Sequence, residues 1–231
     1  MSARATVFCF DLDDTLVSES EYVESGLRAA GELLDRWAPG SRSGEWMVAL
    51  WRTARAADPF QQALARVGAD PARWLPRLRA AYREHRPVAL TPRSGALDLL
   101  GALTRRGDRL ALISDGDHGA QRRKWEALAL PHRFDPVVFT DESGRACWKP
   151  NPWAYRRVMT AHPDARAFVY VGDNPGKDFL APNALGWTTV QVLHPANLRR
   201  ALPARGLAAA AGHVVSELAG VLDVVARDAA P

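Results

Sequence analysis

The stretch TVFCFDLDDTL at residues 6–16 decides the fold class of this chain. Its first five residues are apolar except for Thr6, and the run ends abruptly at Asp11. Such a run is typical of a buried parallel strand whose carboxyl end meets a polar site. Asp13 and Asp14 follow at once, and we expect Asp14 to play the structural role of a helix cap.

Further strand and helix patterns alternate along the chain. Three apolar runs also stop at Ser, Thr or Gly, and they lie at residues 109–114, 137–140 and 167–172. A fifth run, rich in β-branched residues, lies at residues 187–193. Helical patterns lie at residues 94–106, 121–130 and 216–226, the last with Ser216 as the expected N-cap. The alternation predicts an α/β fold with a doubly wound, Rossmann-like parallel sheet, whose ligands bind beyond the carboxyl ends of the strands.

Residues 17–90 interrupt this alternation, because they show helical periodicity and no convincing strand. The apolar anchors of the segment are Trp37, Trp46, Leu50, Trp51, Leu64, Trp74, Leu75 and Leu78. Prolines divide it into several helices, and Thr91-Pro92 marks the return to the sheet. We therefore expect a core domain formed by residues 1–16 and 91–231, with an all-helical cap domain inserted at residues 17–90.

The composition is that of a folded globular protein, with 47% hydrophobic and 24% charged residues. Acidic residues follow the first short apolar stretch directly, which argues against a secretory signal or a membrane-spanning helix. We expect a cytoplasmic protein without a membrane partner. Cys9 and Cys147 lie in no disulfide or zinc pattern, and both are expected to be buried.

The formal net charge of +4 would suit an anionic ligand. Basic residues are interspersed with acidic ones, and the chain has neither a lysine-rich tail nor a glycine-aromatic RNA-binding pattern. We therefore expect no nucleic-acid partner.

Polar groups at several strand ends suit phosphoryl transfer. The hydroxyl of Ser114 and main-chain N–H groups beside Gly116 can hold a phosphoryl oxygen. Lys149 adds a cation just before Pro150, where we expect a helix to begin. A carboxylate such as Asp11 can attack phosphorus while a second carboxyl group protonates the leaving oxygen.

Asp173 and Asp178 flank a glycine and proline turn after the predicted strand at residues 167–172. Carboxylate oxygens are the ligands that Mg²⁺ prefers, and Mg²⁺ usually takes only one or two of them from protein. Each motif alone also has an ordinary structural explanation, such as a helix cap or a solvated lysine. Their placement at strand ends lets them converge on one pocket.

Together, the four motifs resemble the haloacid dehalogenase-like hydrolase superfamily, whose pattern is a DxDxT strand end, a Ser or Thr strand end, a Lys and a GDxxxxD turn. The matching residues follow the family's order within residues 6–193, and they are Asp11, Asp13, Thr15, Ser114, Lys149, Asp173 and Asp178. The helical insertion resembles the family's cap, placed directly after the first motif. One departure is Asp115, where the family commonly has Asn.

The resemblance implies a role for each acidic residue. Asp11 would be the nucleophile and a ligand of Mg²⁺. Asp13 would be the general acid and base, with its main-chain carbonyl on the metal. Asp173 would be the third protein ligand, and Asp178 would hold the metal shell or Lys149 in place.

The resemblance also implies a phosphate site. Ser114 would bind the phosphoryl group, and Lys149 would offset the charge on the nucleophile and on the phosphate. The phosphate-binding residues, including those that contribute main-chain N–H groups, would be Asp11, Leu12, Asp13, Ser114, Asp115 and Lys149.

The implied activity is magnesium-dependent hydrolysis of a small phosphorylated metabolite through an aspartyl-phosphate. Asp13 argues against a dehalogenase, because C–halogen hydrolysis has no alkoxide to protonate and the family's dehalogenases lack this second Asp. A phosphomutase, and a catalytically silent binding or regulatory protein of the same fold, remain alternatives. Candidate substrate contacts at the rim of the site are Glu19, Tyr22, Arg52 and Arg55.

Overall fold

The computed structural model describes residues 5–54, 58–198, 202–204 and 206–228. The chain divides into two compact units. The first runs up to Glu19 and resumes at Thr91, and the second is Ser20–Leu90. The first unit contains a parallel sheet with helices, and the described part of the second is helical.

The helices of the second unit are α1 (Glu19–Trp37), α2 (Ser43–Thr53), α3 (Pro59–Val67) and α4 (Pro71–Glu84). Asp58 and Asp70 cap α3 and α4, because their carboxylates accept hydrogen bonds from main-chain N–H groups of the first turn. The core of this unit includes Leu27, Leu34, Met47, Leu64 and Leu78. Trp37, which we expected to be an apolar anchor, is instead 44% exposed because it stands at the end of α1.

Helices α1 and α2 approach closely at two glycines. A Cβ atom added to Gly31 would lie 2.2 Å from the Cα atom of Gly44. This distance is far shorter than any van der Waals contact, so only a residue without a side chain fits at position 31.

The first unit is built around six parallel strands in the order β3-β2-β1-β4-β5-β6. They are β1 (Thr6–Phe10), β2 (Arg109–Ser114), β3 (Phe134–Phe139), β4 (Ala167–Gly172), β5 (Thr188–Val192) and β6 (His213–Val215). The predicted doubly wound α/β fold is confirmed. Strand β6 was not predicted, because three residues are too few to show a periodicity.

Strand β1 lies in the middle of the sheet, between β2 and β4. Phe10 pairs with Leu112 of β2 and with Val171 of β4. Residues 7–10 have no exposed surface, which explains why the strand reads as an unbroken apolar run. The central position also places the end of β1, and so Asp11, at the middle of the carboxyl edge of the sheet.

The helices of the first unit are α5 (Ala96–Arg105), α6 (His118–Leu128), α7 (Trp153–Ala161), α8 (Leu180–Ala184) and α9 (Gly220–Asp228). Short 3-10 helices lie at Thr140–Ser143, Arg145–Cys147 and Leu207–Ala209. One core cluster joins Cys9 and Ile113 of the sheet to Tyr155 of α7 and to Trp187. Within the described residues, no helix combines the length and the apolar character needed to cross a membrane.

Several helix boundaries differ from the predictions. Helix α6 begins at His118, because the side chain of Asp117 accepts a hydrogen bond from Ala120 N and caps it there. Helix α9 begins at Gly220 rather than after Ser216. The preceding residues form a turn instead, in which Gly220 N donates to Glu217 O.

Other differences concern single residues. Strand β3 begins earlier than predicted, because an edge strand tolerates Pro136, which lacks a main-chain donor. Helix α7 begins at Trp153, so the prediction of a helix starting directly after Lys149 was wrong. Cys9 is buried as expected, whereas Cys147 is only half-buried.

Candidate active site

Asp11 is the first residue after β1, and the sheet fixes its main chain. Its N–H donates to the carbonyl of Val171 on β4 at 2.9 Å. Because all six strands are parallel, the residues that follow β1, β2 and β4 reach the same edge of the sheet. The motifs at Asp11, Ser114 and Asp173 are brought together in this way.

Lys149 is the centre of a buried ion cluster. Its Nζ donates to Asp11 Oδ1 at 2.7 Å, to Asp178 Oδ1 at 2.7 Å and to the hydroxyl of Tyr170 at 3.0 Å. The side chain of Lys149 has no exposed surface. Burial alone would lower the pKa of Lys149, but the carboxylates of Asp11 and Asp178 raise it well above its usual value. Lys149 is therefore a cation in this cluster.

Asp11 is itself buried, with 1% of its surface exposed. Burial alone would raise its pKa, but the charges of Lys149 and Lys177 outweigh this effect and lower the pKa below its usual value. Asp11 is therefore an ionised carboxylate. Lys149 contacts only one of its two oxygens.

Three acidic residues lie close enough to share a cation. Asp11, Asp173 and Asp178 each offer one carboxylate oxygen, and these oxygens lie within 4.8 Å of one another. Asp11 Oδ2 and Asp173 Oδ2 are buried and accept no hydrogen bond within the described part of the chain. A buried acceptor without a partner is costly, and a metal ion would satisfy both.

Asp178 differs from the other two carboxylates, because hydrogen-bond donors occupy both of its oxygens. Oδ1 accepts from Lys149, and Oδ2 accepts from the main-chain N–H of Asn174 at 2.8 Å. A Cβ atom at Gly172 would lie 2.7 Å from Asp178 Oδ2, so the glycine makes this approach possible. Asp178 is therefore suited to hold Lys149 and the turn rather than to bind a metal directly.

The charge balance of the site also suits a cation. Burial and the neighbouring carboxylates of Asp178, Asp11 and Asp14 raise the pKa of Asp173 to about 9. A divalent cation between Asp11 and Asp173 would remove this repulsion. The oxygen ligands are those that Mg²⁺ prefers, so the residues present fit this metal.

Asp13 is held from helix α6 rather than by Lys149. Lys124 Nζ lies 2.7 Å from both carboxylate oxygens of Asp13, and Gln121 Nε2 donates to Oδ2 at 3.0 Å. The hydroxyl of Ser114 donates to Gln121 Oε1 at 3.0 Å. The amide of Gln121 thus links the acid of the first motif to the hydroxyl of the second.

Asp115, which departs from the family pattern, is tied to the segment that carries Lys149. Its Oδ1 accepts from the hydroxyl of Thr140 at 2.7 Å and from the main-chain N–H of Lys149 at 3.1 Å. Lys177 Nζ lies 3.7 Å from its Oδ2. A carboxylate therefore serves as an acceptor here, and a nearby lysine offsets its charge.

A family model described as haloacid dehalogenase-like hydrolase matches residues 5–186, which is most of the chain. The chain belongs to this family. It is 33% identical over 159 residues to a phosphoserine phosphatase of Thermus thermophilus, and the match covers 68% of this chain but only 61% of that protein. It is 28% identical over 192 residues to a glyceraldehyde 3-phosphate phosphatase of Pyrococcus abyssi, covering 80% of this chain and 79% of that one.

A solved structure shares the fold of this dehalogenase-like hydrolase at lower identity. The 2-haloacid dehalogenase from Pseudomonas syringae pv. Tomato DC3000 aligns with a TM-score of 0.63 and 19% identity, covering 97% of this chain and 100% of that chain. At this level of identity the likeness concerns the fold alone.

The remaining candidate residues of the hydrolase have contacts of their own. Asp14 has the predicted structural role, because its carboxylate accepts from the main-chain N–H of Glu19, the first residue of α1. Tyr22 is buried, with its ring 4.4 Å from that of His85. Arg52 donates two hydrogen bonds to Glu24.

Arg55, the last of the predicted rim residues, lies outside the described residues. The main-chain N–H of Glu19 donates to the carboxylate of Asp14 at 3.0 Å.

Several residues that contact the motifs of this hydrolase were not predicted from the sequence, namely Gln121, Lys124, Thr140, Tyr170 and Lys177. Gln121 and Lys124 stand three positions apart on one helix, so they share a face. That spacing, on the helix that follows Ser114, could have identified both residues as candidate contacts of the site. Tyr170 is harder to identify from the sequence, because only its hydroxyl is polar and it lies within an otherwise apolar strand.

Proposed function

We propose that this hydrolase is a magnesium-dependent phosphatase that cleaves a small phosphorylated metabolite through an aspartyl-phosphate on Asp11. One observation carries the proposal: the buried, ionised Asp11 has one oxygen fixed by Lys149 and a second oxygen that no described protein donor contacts. The names of two relatives, each a phosphatase, support the same reaction.

In the first step, the Asp11 carboxylate attacks phosphorus, and an oxygen–phosphorus bond forms as the bond to the leaving oxygen breaks. Asp13 donates a proton to that oxygen, so the product leaves as an alcohol. Lys149 holds the nucleophile in place and offsets part of the incoming negative charge. The hydroxyl of Ser114 stands at the end of β2 on the same edge, where it can bind a phosphoryl oxygen.

In the second step, a water attacks the phosphorus of the aspartyl-phosphate, and Asp13 takes a proton from it. The oxygen–phosphorus bond to Asp11 breaks, which restores the carboxylate and releases inorganic phosphate. Bound Mg²⁺ would neutralise charge on the phosphoryl oxygens, and Asp11, Asp173 and the main-chain carbonyl of Asp13 would hold it.

The helical unit Ser20–Leu90 would act as the cap that selects the leaving group. This part of the proposal rests on the place of the insertion, directly after the first motif. Arginines are frequent in the unit, and several lie over tryptophan rings instead of projecting alone, such as Arg66 over Trp46 at 5.5 Å. Specificity would then depend on a few side chains of this unit.

The test is a phosphate-release screen over phosphorylated metabolites, including phosphoserine and glyceraldehyde 3-phosphate, with Mg²⁺ and with a chelator. We expect release only with Mg²⁺, and loss of turnover in both Asp11→Asn and Asp13→Asn. Activity that survives Asp11→Asn would exclude the covalent route. No release from any ester would instead favour a silent binding protein.

A further inference from the structure

Helix α6 places two polar side chains against Asp13 that belong to none of the four motifs. Lys124 reaches both carboxylate oxygens and Gln121 reaches one of them, so three short contacts from one helix fix the carboxyl group. The side chain of Lys124 is only 5% exposed and that of Asp13 is 13% exposed. Contacts of 2.7–3.0 Å are within ordinary hydrogen-bond range, so they hold the carboxyl group in one orientation.

The position of Gln121 depends on the second motif. Its Oε1 accepts from the hydroxyl of Ser114, and a Cβ atom at Gly116 would lie 2.6 Å from its Nε2. Because residue 116 is a glycine, it leaves room for the side-chain amide of Gln121. The strand end that carries Ser114 and the helix that carries Gln121 together define where the Asp13 carboxyl group can lie.

A purely structural role explains Lys124 poorly. Burying an ammonium group costs several kcal/mol of desolvation, and a buried ion pair is often no more stabilising than apolar side chains of similar volume. A methionine or leucine would attach α6 to the sheet at a lower cost. The positive charge of Lys124 is therefore better explained by its contact with Asp13.

We propose that Lys124 and Gln121 are positioning residues that orient the Asp13 carboxyl group for proton transfer. The inference rests on the proposed function, in which Asp13 protonates the leaving oxygen. Catalysis of this kind is sensitive to small displacements, because a misplacement of about 1 Å can cost about 100-fold in rate. Neither residue needs to touch the substrate.

The test compares two esters that differ in how much they need a general acid. The leaving group of 4-nitrophenyl phosphate is weakly basic, whereas an alkyl phosphate that the wild type hydrolyses must have its leaving oxygen protonated. We measure kcat/KM, which reports the steps up to departure of the leaving group. We expect Lys124→Met to lower kcat/KM for the alkyl ester by about 10- to 100-fold, and that for the aryl ester far less.

Three further variants complete the experiment. Gln121→Leu should show the same selective loss on the alkyl ester, and Lys124→Arg should restore part of it by returning a donor. Arg122→Met is the matched control, because it removes one exposed positive charge from the same helix, 55% exposed in the wild type. It should leave both substrates unaffected.

An equal loss on both esters would overturn the inference, because it would mark a structural or phosphate-binding role. An unchanged kcat/KM for both esters in Lys124→Met would also overturn the inference. If thermal melting shows that Lys124→Met does not fold, Gln121→Leu decides by the same comparison. A wild type that releases phosphate from neither ester would count against the proposed function instead.

Discussion

Asp13 and Asp14 are adjacent in sequence, yet the structure gives them opposite surroundings. Asp14 is fully buried, adopts a left-handed backbone conformation with φ of 56°, and accepts hydrogen bonds from Arg93 and from the main chain of Leu198. Asp13 remains partly exposed and contacts Lys124. An Asp residue tolerates the left-handed conformation better than most, which lets the chain turn sharply after β1.

The contacts of Lys149 predict a large loss of stability on its removal. In Lys149→Met, Asp11 and Asp178 would remain buried without their shared cation. Breaking a buried ion pair by removing one partner costs about 3–5 kcal/mol. We expect a loss of this size in the free energy of unfolding, measured by denaturant titration without added metal.

The matched control for Lys149→Met is Lys177→Met. Lys177 is 25% exposed and lies 3.7 Å from Asp115, so its removal should cost about 1 kcal/mol or less. If both variants lost equal stability, the ion cluster around Lys149 would not have the energetic role that its burial indicates.

At the scale of elements, the strands followed from the sequence more closely than the helix ends did. The bounds of β1, β2 and β4 agree with the prediction, because central strands buried on both faces have continuous apolar runs. Helix α6 began earlier than predicted, because its start depends on the Asp117 cap rather than on apolar periodicity. Strand β6 depends on pairing with β5, which no local pattern specifies.

The contact between α1 and α2 predicts that Gly31→Ala destabilises the chain. The added methyl group would lie 2.2 Å from backbone atoms of Gly44, which cannot rotate away as a side chain would. Overpacking of this kind costs about 1–3 kcal/mol. The loss is measured by urea unfolding followed by circular dichroism.

Gly101→Ala in α5 is the matched helical control. Its added methyl group would lie 3.2 Å from the guanidinium of Arg105, which can move, and 3.8 Å from Nε2 of His132, which is an ordinary van der Waals distance. Replacing a glycine within a helix should then stabilise the chain by about 0.5–1 kcal/mol. The prediction would be wrong if the two substitutions changed stability in the same direction.

At the scale of the whole molecule, the convergence of the motifs could be predicted but their supporting contacts could not. Parallel strands share one carboxyl edge, so Asp11, Ser114 and Asp173 had to lie near one another. The contact between Lys124 and Asp13 joins residues 111 positions apart. It depends on how α6 is rotated against the sheet, and tertiary packing sets that rotation.

The proposed metal ligands all lie in the first unit, which predicts where Mg²⁺ stabilises the molecule. Mg²⁺ at about 100 times its dissociation constant should stabilise the native state by about 2.7 kcal/mol. We expect slower hydrogen exchange at the ends of β1 and β4, with little change within Ser20–Leu90. Asp173→Asn should abolish this response, and without Mg²⁺ it should raise the melting temperature because it removes one of three clustered buried carboxylates.

The control for this metal response is Asp164→Asn, which removes a carboxylate that is 59% exposed and paired with Arg109. Its response to Mg²⁺ should equal that of the wild type, because no oxygen of the candidate site is lost. A response that persists in Asp173→Asn would place the metal elsewhere. Protection confined to the second unit would also place the metal elsewhere, because the proposed carboxylate ligands, Asp11 and Asp173, both belong to the first unit.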